Sequence, residues 1–446
     1  GPAGLIAADV LSAAGVRVVV IERMPSVGRK FLIAGRGGLN LTHSEPLAQF
    51  VTRYGAAADN LRPMLESFSP RDLIAWVEGL GQPTFVGSSG RVFPKAMKAS
   101  PLLRACLARL NARGVEIRAR TQWQGWHADG RLLLSRGAVE DAIEASATLL
   151  ALGGASWPKL GADGAWQSAL ASRGVAMAPL KPANMGFEVA WSAAFRARFE
   201  GQPLKSIVAR FDEHEAPGEI IVTNLGVEGG AIYALSAHLR DALELQDPIE
   251  LLVDLKPALS KEQIASRLGR AKGGDSLSST LRKALNLTPL ATNLLREGGP
   301  PPRDPEQLAA LIKAMPITLV APCSIDRAIS TAGGVTWGAV DEHLVAARDA
   351  VADAHVLHLG AQHDALPTER ARTVADDLRV AHRHRVDADL LGPRLQHLEH
   401  VVDVADAATH GERHEHVMRD PPHGVEVDLA LLRARLDVVE DDLVDL

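Results

Sequence analysis

The sequence predicts an α/β fold: a Rossmann-like parallel unit at the N-terminus, with a β-barrel and a small helical subdomain inserted into it. Three observations predict this. Gly1-Pro2-Ala3-Gly4 runs into Leu5, Ile6 and Val10 at helical spacing, so a helix begins within a few residues of Gly4. Residues 16–21 are a β-branched run, as in a buried parallel strand, and the run ends in Glu22. Much further along, 205–211 and part of 219–223 alternate with period two, as short strands do.

A glycine-rich turn, a helix, a strand and then an acid about 20 residues on make the dinucleotide-binding fingerprint. Gly1, Pro2, Ala3 and Gly4 would let the backbone approach a pyrophosphate, with the positive end of the helix facing the phosphates. Glu22, with Arg23 beside it, ends the strand. Its carboxylate can accept the hydroxyls of an adenosine ribose, which favours FAD or NAD over a 2′-phosphorylated ligand. The strand expected to precede Gly1 lies before the first residue. Without the acid, the same pattern would be any helix–strand unit of an α/β protein.

Gly28, Arg29 and Lys30 place a flexible backbone and two cations where phosphate oxygens need donors. Gly35, Gly37 and Gly38 would let a loop lie flat against an aromatic ring system. Asn40 and Thr42 could hydrogen-bond the polar edge of that ring. Taken singly, the two cations could be a solvated pair and the glycines a surface turn. Residues 148–152 read as a buried strand ended by Gly153 and Gly154.

The middle of the chain reads as an insertion. Short strands separated by glycines suggest a β-barrel over 181–256. Residues 261–268, 278–287 and 305–314 read as helices within a helical subdomain, 257–318, and Gly299-Pro300-Pro301-Pro302 reads as a linker. The dinucleotide domain is then 1–180, resumed at 319–345.

Composition limits the function classes. Of 446 residues, 46% are hydrophobic and 23% charged, with a net charge of −6, so no basic surface is set out for nucleic acid. Only Cys106 and Cys323 are present, far apart, which fits a reducing cytoplasm rather than a disulfide scaffold. No run of about 18 apolar residues exists, so no membrane span is expected. The chain changes character near residue 345. Trp337 is the last aromatic residue, and 346–446 contain no Ile, Ser, Lys, Asn or Cys, while histidine becomes frequent. This stretch reads as GC-rich DNA translated in the wrong frame or strand, the alternative being a His-rich helical appendage. His397, His400, His410, His414 and His416 have metal-like spacings. However, Val417-Met418 leaves H-E-x-x-H incomplete after His414-Glu415, and no metal is expected.

The glycine and N-x-T segments, in order, carry a resemblance. Gly28-Arg29-Lys30 is followed by Gly35-Arg36-Gly37-Gly38-Leu39-Asn40-Leu41-Thr42, and then by Gly90-Arg91-Val92-Phe93-Pro94-Lys95. Ala151-Leu152-Gly153-Gly154-Ala155-Ser156-Trp157-Pro158 precedes Gly161-Ala162-Asp163-Gly164, and Ser330-Thr331-Ala332-Gly333-Gly334-Val335 comes last. Over residues 1 to about 345 the chain resembles bacterial NAD(P)/FAD-dependent oxidoreductases, a family that includes enzymes named aminoacetone oxidases. The resemblance implies a glutathione-reductase-like flavoprotein with FAD as cofactor. It also implies a barrel and helical piece covering the flavin, and Gly333 and Gly334 beside it. A second flavin-binding stretch implied after Val335, with a G-E-x-x-D element, has no counterpart beyond Gly338. The implied activity is transfer of hydride or electrons between a small amine or unsaturated compound and FAD, with NAD(P)H or O2 as the second partner. No nucleophile set stands out, so no catalytic residue is assigned; flavin chemistry does not require one. Two alternatives stand beside this reading: a flavin-dependent RNA-associated protein and an inactive remnant of a flavoprotein gene.

Overall fold

The computed structural model describes residues 1–35, 37–270, 275–341 and 354–355. All of them lie in one compact unit, Gly1–His382. Apart from 354–355, the His-rich stretch from 346 on falls outside the described residues, and so do the expectations about its origin and its histidines.

α1 (Pro2–Ala13) starts where a proline suits a helix: its fixed φ matches the first turn, and that turn does not need its N–H. The helix buries Leu5, Ile6, Ala7, Ala8 and Asp9. Gly15, at φ +79°, turns the chain out, and the Val16 N–H donates to the Leu11 carbonyl. Val16 thus closes the helix, which is why β1 is Val19–Ile21 and not the whole run from residue 16. α2 (Arg29–Ala34) is followed by β2 (Thr42–His43), β3 (Thr84–Val86) and β4 (Arg91–Pro94), a small antiparallel sheet ordered β2-β4-β3. After the helix Ala99–Ala112, β5 (Glu116–Arg118) pairs in parallel with β1. β6 (Gln122–Trp126), β7 (Leu132–Arg136) and β8 (Val139–Ile143) form a meander, and β9 (Thr148–Leu149) pairs in parallel with residues 354–355.

α1 covers both parallel ladders. Leu5 and Ala8 pack with Val18 and Val20 beside β1, and with Leu103 and Leu110 of the Ala99–Ala112 helix. Ile6 and Ala7 pack with Leu149 of β9. An apolar helix face over parallel strands is the layer arrangement expected of a Rossmann-type domain.

β10 (Met177–Ala183) carries the chain out of this domain. β11 (Phe187–Glu188), β12 (Pro203–Phe211), β13 (His214–Val222), β14 (Gly226–Glu228), β15 (Ile249–Asp254), β16 (Met315–Leu319) and β17 (Ala321–Pro322) make one seven-stranded sheet, ordered β16-β15-β12-β13-β14-β11-β17. Its two edge strands, β16 and β17, are separated in sequence by Val320 alone. The sheet must therefore curl until its edges approach, as in a barrel. β18 (Ser330–Val335) then returns and pairs antiparallel with β10.

The helices Gly230–Leu243, Lys261–Gly269, Leu277–Leu285, Pro289–Glu297 and Pro305–Lys313 belong to this inserted part. Their starts are written locally. Ser260 and Gln263 form a reciprocal capping box, and Asp304 caps the helix that begins at Pro305. Phe187, Ile207, Ile220, Leu251, Ile264 and Ile312 are fully buried in a single apolar core. The stretches expected as a barrel and as a helical piece therefore share one core.

Candidate cofactor and active site

The predicted cofactor residues gather mainly at two places: the N-terminus of α1 and the loop after β9. No side chain caps α1 and no acidic residue stands in its first turn, so Gly1, Ala3 and Gly4 present N–H groups at the positive end of the helix. A Cβ on Gly4 would lie 3.3 Å from Ala151 Cβ, so the helix start sits directly against the end of the 148–152 segment. Glu22 follows β1. One carboxylate oxygen accepts the Met24 N–H at 2.9 Å, and the other lies 4.0 Å from the Gly1 nitrogen. That second oxygen makes no hydrogen bond among the described residues.

Arg23 donates to Asp163 at 2.7 Å, which joins the strand end to the Gly161–Gly164 turn. Burial works against the Asp163 carboxylate, but the Arg23 bond and the Ala165 N–H outweigh it and hold its pKa below the usual range. Gly28, at φ +74°, caps α2 in the left-handed region, and a Cβ there would collide with Leu103. Lys30 donates to the hydroxyl of Ser156, a residue with no exposed surface. The Gly28–Lys30 turn and the 153–156 loop are thereby tied together. The Nε atoms of Arg23 and Arg29 are buried without a hydrogen-bond partner among the described residues.

Gly153 stands at φ +71° with open space around it. At Gly154 a Cβ would overlap Thr331, whose hydroxyl accepts the Ala155 N–H at 2.9 Å. Gly333 and Gly334, at φ +86° and +99°, lie in β18 beside an irregularity in its pairing with β10. The remaining predicted residues are placed elsewhere. Gly35 packs against Ala99, and Gly38 lies beside Met97 and Phe93. Gly37 and Asn40 are exposed, and Thr42 is buried in β2 opposite Val92. Neither Asn40 nor Thr42 hydrogen-bonds through its side chain to another of these residues.

The sequence gives Trp157 a place in the Ala151–Pro158 segment but no role. The residue adopts φ +63°, ψ +63°, a left-handed conformation that a bulky residue holds only when its surroundings enforce it. Its backbone N–H donates to the Asp326 carbonyl at 3.0 Å, and its indole N–H to the Ala328 carbonyl at 3.1 Å. Two bonds thus fasten the loop after Ser156 to residues 326–328, which follow β17 of the seven-stranded sheet. Only the adjacency of Gly153-Gly154 in sequence could have drawn attention to it.

The donor set fits a dinucleotide: an uncapped helix N-terminus, two buried guanidinium N–H groups without partners, and a carboxylate beside them for a ribose. Replacing Glu22 with Gln keeps the shape and removes the charge. FAD affinity is expected to fall by on the order of 1.5–3 kcal/mol, roughly 10- to 150-fold in Kd. Titration of the apoprotein with FAD, followed by flavin fluorescence, checks this; an unchanged Kd would remove Glu22 from the site.

Fold and site together define a Rossmann-type FAD-binding protein. The chain belongs to the family described as HI0933-like protein Rossmann domain, which matches residues 1–352, and it is an FAD-dependent oxidoreductase. A curated protein, the 3-dehydro-bile acid delta(4,6)-reductase of Clostridium scindens, is 24% identical over 360 residues, 76% of this chain and 86% of that protein. Among solved structures, the 3-ketosteroid-delta4-(5alpha)-dehydrogenase of Rhodococcus jostii RHA1 is similar at 14% identity and a TM-score of 0.42, over 82% of this chain and 90% of that one. FrdA of E. coli quinol fumarate reductase is similar at 15% identity and a TM-score of 0.43, over 91% and 72% respectively. No described helix is long and apolar enough to cross a membrane.

Proposed function

We propose that this enzyme reduces a carbon–carbon double bond conjugated to a ketone in a small cyclic substrate, with NAD(P)H as electron donor. One observation carries the substrate class: the similarity over 76% of the chain to a protein named a delta(4,6)-reductase. The structure supports it with a curled sheet of apolar core joined to the cofactor domain at the Trp157 seam, where a cleft between two domains would receive a compact apolar molecule.

FAD, when bound, supplies two-electron exchange in the form of hydride. The chain's own residues hold and orient it. The N-terminus of α1, from Gly1 through Pro2 and Ala3 to Gly4, faces the pyrophosphate together with the guanidinium groups of Arg23 and Arg29, while Glu22 takes the ribose. Gly28, Lys30, Gly153 and Gly154 shape the wall next to it. Gly35, Gly37, Gly38, Asn40, Thr42, Gly333 and Gly334 complete the surround. The domain division is 1–180 and 319–345 for FAD, with 181–256 and 257–318 as the cover, and the enzyme works in the cytoplasm on a small molecule rather than on nucleic acid.

The purified protein, supplied with FAD, should show the two visible flavin bands. After anaerobic reduction with NADPH or NADH, a steroid 4-en-3-one should reoxidise it. A protein that takes up no FAD sinks the cofactor assignment. Reoxidation by the enone no faster than by buffer, with rapid turnover of a primary amine under air, would replace this reading with amine oxidation.

A further inference from the structure

The cover has a core of its own. Residues 185–328 pack around Phe187, Ile207 and Ile312, and Ala328 is the last residue of that cluster. The other clusters, which hold Leu150, Leu110, Leu39 and Ile6, contain nothing from this range. Among the described residues, then, no apolar core crosses the seam. Where no large apolar interface joins two parts of a chain, relative motion between them is the physical expectation.

Between residues 1 and 341 the chain passes from one part to the other twice, at Asn184 and at Ile329. Both crossings adjoin the ribbon of β10 and β18. The ribbon itself is held by the cofactor domain. Thr331 accepts the Ala155 N–H, Leu180 fills the space over Gly164, and Met177 and Val335 pack with Leu150 and Trp166. Asn184 stands at φ +49°. Asparagine visits that region at little cost, so it can leave and return. The Ile329 N–H donates to the Asn184 carbonyl at 3.1 Å, and the Asn184 amide to the Ser330 hydroxyl at 2.7 Å. These bonds keep the two crossings side by side as one pivot.

The ties across the seam are polar. The Arg240 guanidinium donates to the Pro182 carbonyl at 3.0 Å. Lys181 pairs with Glu244 at 2.6 Å, but the two side chains are 38% and 47% exposed, so water competes and the pair adds little. Trp157 supplies two more bonds, to the carbonyls of Asp326 and Ala328. Its left-handed backbone costs a bulky residue about as much as one or two neutral hydrogen bonds return. Letting go therefore loses two bonds and releases the strain, which leaves this contact near balance.

We propose that residues 185–328 swing as one body about Asn184 and Ile329, with Trp157 as the catch that closes them onto the cofactor loop. In the closed form Trp157 ties Ser156, and through it Lys30, to the cover. Opening breaks both Trp157 bonds and the Arg240 bond, relaxes the Trp157 backbone and uncovers the 153–156 turn. That this opening serves flavin or substrate rests on the cofactor reading above; the motion itself does not.

Amide hydrogen exchange, read residue by residue below the unfolding transition, tests the motion. Two nearby amides report on opposite sides of the pivot. The Trp157 N–H bonds across the seam to Asp326, whereas the Ala155 N–H bonds to Thr331 on the ribbon. In the flavin-free protein the Trp157 amide should be at least about tenfold less protected than the Ala155 amide, because a partial opening exposes it. Trp157→Phe keeps a ring and the N–H but loses the indole bond. Protection at position 157 should then fall by about a further fivefold, the factor that one net hydrogen bond carries, with Ala155 as in wild type. Saturating FAD should raise protection at Trp157 in the wild type. Equal protection of the two amides, lost together with the amides of the cover core, overturns the swing. Unchanged protection at position 157 in Trp157→Phe overturns the catch. A separate opening that FAD leaves unaltered overturns its link to the cofactor site, whereas a protein that takes up no FAD removes the cofactor reading beneath it.

Discussion

Asp9→Ala should destabilise the dinucleotide-binding domain by about 3 kcal/mol, the lower end of the range for breaking a buried ion pair. Asp9 sits in the middle of α1 with 5% of its surface exposed. Its carboxylate accepts from Trp76 Nε1 at 2.9 Å, Arg109 Nη2 at 2.6 Å and Arg113 Nη1 at 2.8 Å. Arg113 also donates to the Asp9 carbonyl at 2.9 Å. Deleting the carboxylate strands two cations and an indole N–H against a buried helix. The arginine side chains are 24% and 34% exposed, so water relieves part of that cost and the lower figure is expected. The functional consequence follows from position. The helix that this network fastens is the one whose N-terminus is proposed to face the phosphates, so FAD should leave at lower denaturant than in wild type. Asp9→Asn, which keeps an acceptor for Trp76, should lose less. Urea unfolding followed by Trp fluorescence and flavin release measures both variants. A loss below about 0.5 kcal/mol in Asp9→Ala, the range of an ordinary surface change, would show that apolar packing alone seats α1.

Asp254→Ala should cost the inserted domain a comparable or larger amount, about 3–5 kcal/mol. The Asp254 side chain is 0% exposed. It faces Lys313, bonds Arg210 at 3.4 Å and accepts the Lys256 N–H at 3.0 Å. Lys313 in turn donates to the Leu259 carbonyl at 2.9 Å. This one carboxylate at the end of β15 thus ties β12 to the end of the Pro305–Lys313 helix. Arg210 is 39% exposed and can turn to water, so most of the loss comes from Lys313. Because the network lies in the cover, early proteolysis should fall within residues 185–328 while the flavin spectrum survives at low denaturant. If cleavage and flavin loss instead coincide, cover and cofactor domain unfold as one unit.

The sequence was informative wherever the physics is local. The turn, helix, strand and acid of residues 1–22 lie close along the chain. Their pattern depends on glycine freedom, helical periodicity and a strand-end carboxylate, all visible without partners. The same holds for the Lys261–Gly269 and Pro305–Lys313 helices, whose caps lie three residues from the N–H groups they serve. The ordered Gly-rich segments carried the family in the same way. The start of β1 was misjudged because the chain-reversing bond from Val16 to Leu11 competes with a β-branched run.

The tertiary structure alone decided what depends on distant chain segments meeting. Gly154 needs its missing side chain because Thr331, far along the chain, occupies that space. Lys30 meets Ser156, and Trp157 is held in a left-handed conformation by carbonyls of 326 and 328, partners that no local pattern names. Only the pairing of β11 with β14 and β17 brings Glu228 and Cys323 to either side of Gly186. Sequence by itself determined the cofactor class and the glycine-rich turn that opens α1, because backbone conformation and periodicity are properties of short segments. Which side chains meet the 153–157 loop was left to sheet register and domain seams, because pairing between remote strands is chosen by the packing of the whole core.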